Sequence, residues 1–274
     1  KKIRCSFMHF QQNGFDFGSK GDEIRFVSRT DLLPIQTNVI AKVEKISEEI
    51  YEISFLNELD PEVTVFSAIE NKTFMAGLKM VNCTVKQNRA RSILISTPKK
   101  VEILDNYFSS MMAGVRICGD ANYWFESGPV QEVVIRGNTF EDLAIGGHNP
   151  QAILQIDPII GKNYRNNGYF HHNIIFEDNI IKAFDPLIIY ALSVDGLTIR
   201  NNTIIQTHAY QEIFSDLSQM DIQNSKSVII ENNMYEGKGL AQISIKDCED
   251  VRIGDQVGFA KEIVEMPNKY FYQN

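Results

Sequence analysis

"LTIRNNTI", residues 197–204, alternates apolar and polar side chains, passes through two asparagines, and resumes with another polar–apolar step. Period-two alternation puts successive side chains on opposite faces of a strand. Read as apolar-x-apolar-x-x-Asn-x-apolar, the stretch recurs as Val101-Ile103-Asn106-Phe108, Val133-Ile135-Asn138-Phe140, Ile174-Phe176-Asn179-Ile181 and Val228-Ile230-Asn233-Tyr235. Leu78-Met80-Cys83-Val85 and Val251-Ile253-Gln256-Gly258 are weaker copies on either side. First members fall at 78, 101, 133, 174, 197, 228 and 251, so the steps are 23, 32, 41, 23, 31 and 23 residues. A strand returning at such a period is the signature of stacked coils, that is, of a parallel β-helix. The asparagine is expected to take the left-handed backbone of a tight corner and to hydrogen-bond the asparagines of neighbouring coils.

A second apolar strand in each coil aligns as Ile93-Leu94-Ile95, Val115-Arg116-Ile117 and Leu154-Gln155-Ile156. Ile93/Ile95, Val115/Ile117 and Leu154/Ile156 then face inward. Leu94, Arg116 and Gln155 face out, as do Ser96, Cys118 and Asp157. Residues 67–260 read as the β-helix. Residues 1–66 lack the repeat and carry antiparallel strand and turn patterns, which predicts a small β-barrel or β-sandwich. Residues 261–274 are expected to cap the open end of the solenoid. The fold class is therefore all-β.

The chain has 274 residues and a formal net charge of −8. That balance argues against a nucleic-acid partner, whose phosphates need a basic face. No apolar run reaches the ~20 residues of a membrane helix, so no membrane insertion is expected. Lys1-Lys2-Ile3-Arg4-Cys5 is basic without a following apolar segment, and the chain has no initiator Met. It therefore reads as a piece of a longer protein, with any targeting signal elsewhere. Cys5, Cys83, Cys118 and Cys248 form no CxxC pair, which points to buried free thiols rather than a zinc site or a disulfide framework. His171 and His172 have no third ligand at suitable spacing. No metal and no cofactor is expected.

Two long steps mark the candidate site. The 32-residue step contains "GDANYWFESG" (119–128), and the 41-residue step contains "AIGGHNPQ" (144–151) and "PIIGKNYRNNGYFHH" (158–172). Insertions in solenoid repeats become loops, often on the binding face. Trp124 and Tyr123 offer stacking surfaces for a sugar ring. Asp120, Glu126 and Asp157 offer carboxylates for hydroxyls or for acid–base work. Arg116, Gln155, His148 and Asn149 can orient hydroxyls. Glu141 and Asp142 supply further acids, or simply a solvated corner.

"NRARSILISTP" (88–98), "GDANYWFESGPV" (119–130), "VVIRGNTFED" (133–142) and "AILQIDP" (152–158) together resemble glycoside hydrolase family 110. "MHFQQNGFDFGSKGDEIRF" (8–26) and "YALSVDGLTIRNN" (190–202) extend the resemblance over most of the chain. It implies a right-handed, pectin-lyase-like β-helix with inserted β-barrel domains. It also implies an inverting, metal-free exo-α-1,3-galactosidase acting on terminal galactose of blood-group-B-type and linear glycans, in the periplasm, secreted or at the cell surface. Asp120, Trp124 and Glu126 match the family's motifs as site residues. The family's paired-Asp segment ending in Asn-x-His-Gly has no match here and would precede Lys1, so the 274 residues alone are expected to be weakly active or inactive. Two other readings stand beside this one: a non-catalytic carbohydrate-binding β-helix, and a polysaccharide lyase, for which Arg116 is the only evident base.

Overall fold

The structure is a computed structural model and describes residues 1–6, 17–126, 128–146 and 149–265. It divides into two compact units, 1–76 and 77–274.

The first unit holds β1 (Lys2–Ser6), β2 (Glu23–Val27), β3 (Pro34–Lys45), β4 (Ile50–Phe55) and β5 (Ala68–Asn71), paired antiparallel in the order β1-β4-β3-β2-β5. β3 serves two partners: its first half pairs with β2 and its second half with β4, with a register slip between Ile40 and Lys42. Ile24, Phe26, Ile40, Ile53 and Phe55 form its core, with the Phe26 and Phe55 rings edge-on at 5.2 Å. The sheet ends at β1 and β5, which do not pair, so the expected barrel is not closed among the described residues. The unit extends to residue 76 rather than 66 because β5 pairs with β2.

The second unit is the expected solenoid, with three parallel sheets. Sheet I contains β6 (Leu78–Val81), β9 (Val101–Leu104), β12 (Val133–Arg136), β15 (His171–Glu177), β18 (Val194–Arg200), β21 (Lys226–Glu231) and β24 (Glu249–Ile253). Sheet II contains β7 (Thr84–Asn88), β10 (Tyr107–Ser110), β13 (Thr139–Glu141), β16 (Ile180–Ala183), β19 (Thr203–Gln206) and β22 (Met234–Glu236). Sheet III contains β8 (Ile93–Ile95), β11 (Val115–Ile117), β14 (Leu154–Ile156), β17 (Ile189–Leu192), β20 (Met220–Gln223) and β23 (Ile243–Lys246). The seven first members of the repeat stack in one register, from Leu78 through Val101, Val133, Ile174, Leu197 and Val228 to Val251. Their inward neighbours make one continuous core, in which Phe108, Phe140 and Phe176 stack at 5.2 and 5.9 Å. Among the described residues of the expected cap, Val264 bridges Ser244 and so extends sheet III; residues 266–274 lie outside the description.

The asparagine ladder is continuous. Each Oδ1 accepts from the backbone N–H and the Nδ2 of the asparagine one coil earlier, at 2.9–3.1 Å, from Asn106 to Asn138, Asn179, Asn202 and Asn233. Gln256 terminates the ladder at one end and the Cys83 N–H at the other. One detail differs from expectation. The left-handed residue is the one before the ladder position: Asn82, Asp105, Gly137, Asp178, Asn201 and Asn232 have φ between 53° and 68°. The chain reverses its side-chain direction there, which turns the following amide into the core. Asn, Asp and Gly are the residues that tolerate that backbone at least cost.

Candidate functional site

Connection length shows where the solenoid presents its loops. From sheet I to sheet II the corner is always two residues, the second being the ladder position. The long connections all border sheet III: 142–153 and 207–219 lead into it, and 118–132 and 157–170 lead out of it. The outward row of sheet III therefore lies between two loop walls. Strand register carries that row from Leu94 through Arg116, Gln155, Tyr190 and Asp221 to Ser244.

The expected row Arg116, Gln155, Asp157 does project outward, but the loops cover it. Gln155 and Asp157 are 3% and 1% exposed. Arg116 grips Asp157 with two parallel bonds, Nε–Oδ1 at 2.8 Å and Nη2–Oδ2 at 2.9 Å, and Gln155 Nε2 donates to Asp157 Oδ2 at 2.8 Å. Burial raises the Asp157 carboxyl above its ordinary range, and the guanidinium offsets part of that rise. A fork of this kind fixes orientation as well as charge.

The 119–128 loop is built on Asp120. Its N–H donates to the Glu126 carbonyl at 2.9 Å, its Oδ1 accepts from the Glu126 N–H at 2.8 Å, and its carbonyl accepts from the N–H groups of Tyr123 and Phe125. Asp120 is 2% exposed, and burial raises its carboxyl. Between the clamped ends the chain presents Tyr123, Trp124 and Phe125 to solvent, at 63%, 69% and 73% exposure, with the Tyr123 and Trp124 rings edge-on at 5.1 Å. Trp124 therefore does not plug the core. Glu126 is exposed, and its Oε2 lies 3.9 Å from Cys118 Sγ. Cys118, Asp120 and Glu126 have ligand atoms within 4.8 Å of one another, the one such group among the described residues. Burial and the surrounding carboxylates push the Cys118 thiol up to about 12 despite Arg116, which makes it a poor thiolate donor.

The two insertions leaving sheet III meet. Asn122 Nδ2 donates to the Ile159 carbonyl at 2.9 Å, and the Ile159 N–H donates to the Gly119 carbonyl at 2.8 Å. Gly119 has to be glycine because a Cβ there would lie 2.1 Å from the Phe170 ring. Asn149 is exposed but belongs to the connection 142–153, on the opposite border of sheet III, and His148 lies outside the described residues. Glu141 belongs to sheet II, where Lys182 and Tyr107 hold it at 3.0 Å and lower its pKa, so it forms a solvated corner away from this loop. His171 is fully buried and accepts from the Val130 N–H, and desolvation pushes its pKa down to about 3. All four cysteines are free, but only Cys118 is buried, while Cys83 is exposed.

Sequence reasoning missed the continuation of the row. Gln223 Nε2 chelates both carboxylate oxygens of buried Asp221 (3.1 and 3.0 Å), repeating the Gln155–Asp157 pairing two coils on. The alternation in "MDIQ" (220–223) carries that signal.

Residues 2–69 match the family model described as GLAA-B beta-barrel domain II. The chain is 33% identical over 238 residues to an alpha-1,3-galactosidase A of Bacteroides fragilis, covering 86% of this chain and 39% of that protein. It is 34% identical over 244 residues to an alpha-1,3-galactosidase B of Bacteroides thetaiotaomicron, covering 88% and 40%. For an alpha-1,3-galactosidase B of Akkermansia muciniphila the identity is 32% over 235 residues, covering 84% and 29%. The chain thus spans about two-fifths or less of the length of these relatives. It is homologous to them over most of its own length, consistent with a member of glycoside hydrolase family 110.

Proposed function

We propose that this chain supplies part of the sugar site of an inverting exo-α-1,3-galactosidase that removes terminal α-1,3-linked galactose. The observation that carries the reading is the 119–128 loop: three exposed aromatic residues beside the exposed side chain of Glu126, whose backbone is clamped at both N–H and carbonyl by buried Asp120, on the side of the solenoid that gathers the insertions. Aromatic faces stack on the apolar side of a pyranose. An exposed carboxylate beside them accepts hydroxyl protons or exchanges a proton with the glycosidic oxygen or water.

The roles of the two acids differ. Glu126 reaches the sugar, and Asp120 positions it. An inverting enzyme separates its two carboxyl groups by roughly 6.5–9.5 Å to admit a water, whereas oxygens of Asp120 and Glu126 lie within 4.8 Å. This pair does not flank the scissile bond. Asp157 is neutralised by Arg116. The partner carboxylate therefore comes from outside this loop, and the family's paired-Asp segment is the candidate. The lyase reading is not favoured, because Arg116 is committed to Asp157 and is not a base in waiting. Terminal galactosyl glycans are extracellular, so the protein is proposed to act in the periplasm or outside the cell.

The test is turnover of an α-1,3-galactoside by the full-length enzyme and its Glu126→Gln variant. Activity is expected to fall by about 10²-fold or more, the range for proton-transfer groups, with thermal stability unchanged. Equal activity in the two proteins would remove Glu126 from the site.

A further inference from the structure

Past the sugar loop, on the same border of sheet III, the insertion 157–170 runs across the following coils. Asn166 Oδ1 accepts from Asn224 Nδ2 at 2.8 Å. On either side of this contact open two polar lobes of about 230 and 310 Å³, which share Arg165, Asn166, Asn224 and Asp247. Lys162 and Lys246 line the larger one.

The charges in this cleft are unequally committed. Lys246 pairs with Glu265 at 3.3 Å. Glu249, in the smaller lobe, pairs with Lys226 and hydrogen-bonds Tyr169. Arg165 is 8% exposed, and its hydrogen bond among the described residues is a neutral one, from Nε to the Ile160 carbonyl at 3.3 Å. No carboxylate of the described residues lies within 4 Å of Arg165 or of exposed Lys162. Asp247, the remaining acid, is exposed at a left-handed corner and stays solvated. Most of the Arg165 side chain is packed away from water, while its terminal nitrogens, which are neither hydrogen-bonded among the described residues nor sealed in the interior, open into the cleft without a paired carboxylate. An anion entering the cleft would meet that unpaired fork and Lys162, and the planar guanidinium suits carboxylate or sulfate.

We infer that this cleft is a second saccharide site, which binds a sugar bearing an anionic group, carboxylate or sulfate ester, through Arg165 and Lys162, with Asn166 and Asn224 serving its hydroxyls. The volume exceeds that of a bare anion, and the amides retain donors and acceptors beyond their mutual bond. That the ligand is a saccharide rests on the galactosidase reading; that it is anionic rests on the cleft alone. The 119–128 loop is tied to the same insertion through Asn122 and Ile159, so one glycan can run from the galactose loop into this cleft.

The test is isothermal titration and saturation-transfer NMR of the full-length protein with four probes: a glucuronate-bearing trisaccharide, a 6-sulfated galactose disaccharide, and the neutral counterpart of each. At low salt the acidic sugars are expected to bind at least tenfold more tightly than the neutral ones. Lys162→Glu and Arg165→Gln should each remove at least tenfold of that preference, while hydrolysis of a small aryl α-galactoside stays unchanged. Because Arg165 is buried, exposed Lys162→Glu serves as the variant that is safe for folding. Equal affinity for acidic and neutral sugars, no binding of either, or unchanged binding in Lys162→Glu overturns the inference. Inorganic sulfate that binds where neither acidic sugar does rejects the saccharide assignment. Absence of galactosidase activity in the full-length wild type, with the acidic-sugar preference intact, counts against the galactosidase reading alone.

Discussion

Replacing Asn138 by alanine tests whether the ladder holds the coils in register. Asn138 is fully buried, and its Oδ1 accepts from two donors on Asn106, the backbone N–H at 2.9 Å and Nδ2 at 3.0 Å. Its Nδ2 donates to the Ile103 carbonyl at 2.9 Å, the Arg136 carbonyl at 3.0 Å and Asn179 Oδ1 at 3.1 Å. Truncation leaves the Asn106 N–H without an acceptor inside the corner. Asn106 Nδ2 keeps the Met80 carbonyl, and Asn179 Oδ1 keeps the residue-138 backbone N–H. One orphaned buried donor costs about 1–3 kcal/mol, and weakening of the carbonyl and amide contacts brings the expected loss to roughly 2–4 kcal/mol. Asn138→Asp keeps the shape but faces acceptors with acceptors, so it should cost at least as much. Gln256→Ala, at the half-buried end of the ladder, should cost well under half as much. Urea unfolding followed by circular dichroism and by Trp124 fluorescence supplies the comparison, provided the two probes coincide. A loss under about 0.5 kcal/mol for Asn138→Ala, below the usual worth of one hydrogen bond, would refute the claim that the ladder is a main source of register. So would equal losses at positions 138 and 256.

Trp124→Ala should weaken galactoside binding several-fold and leave the urea midpoint unchanged, because the indole is 69% exposed; a drop in midpoint would instead make it a packing residue. Asp120→Ala should lower both activity and melting temperature, because it opens the loop clamp, whereas Asp120→Asn, which keeps the acceptor for the Glu126 N–H, should retain most of the stability. A pH dependence follows from Glu177. Burial opposes its ionisation, but Arg200 at 2.6 Å and Arg136 at 2.5 Å hold its pKa below the ordinary 4.5. A depressed folded-state pKa contributes stability above the unfolded value that is lost as pH falls through the folded one. Urea midpoints of the wild type should therefore fall more steeply below about pH 4.5 than those of Glu177→Gln, and parallel profiles would count against the linkage.

The sheet I pattern was legible because it is written in residues whose reasons are local. A strand needs alternation, and a buried corner needs an amide, so Val133, Ile135 and Asn138 announce their positions without reference to the rest of the chain. The register of Val115 on Leu154 was legible for the same reason. The burial of Gln155 and Asp157 was not, because outward-facing polar residues look solvated until the loops that cover them are placed, and those loops have no periodicity. Asn149 and Trp124 both lie in insertions and look alike in sequence; only the third sheet, with two distinct borders, separates them. The left-handed residue lies one place earlier than the repeat suggests, because Asn-Asn and Asp-Asn corners contain two residues suited to it and only the backbone distinguishes them.

The ladder also explains why the insertions collect around sheet III. At the corner between sheets I and II, a ladder asparagine needs its partner one coil away at 2.9–3.1 Å, so any insertion there breaks bonds in two coils at once. Among the described residues, the borders of sheet III carry no such repeated side-chain bond across all coils. Their connections range from the single residue Ser193 to the stretch 118–132, and insertion there costs chiefly loop entropy, which grows only slowly with length. Selection can lengthen those loops without unseating the core. In this chain it placed an aromatic–carboxylate loop and an arginine with no carboxylate partner among the described residues on the same border, one tied to the other through Asn122. A glycan bound as proposed would lie along the axis and meet both, each coil advancing it by about 4.8 Å.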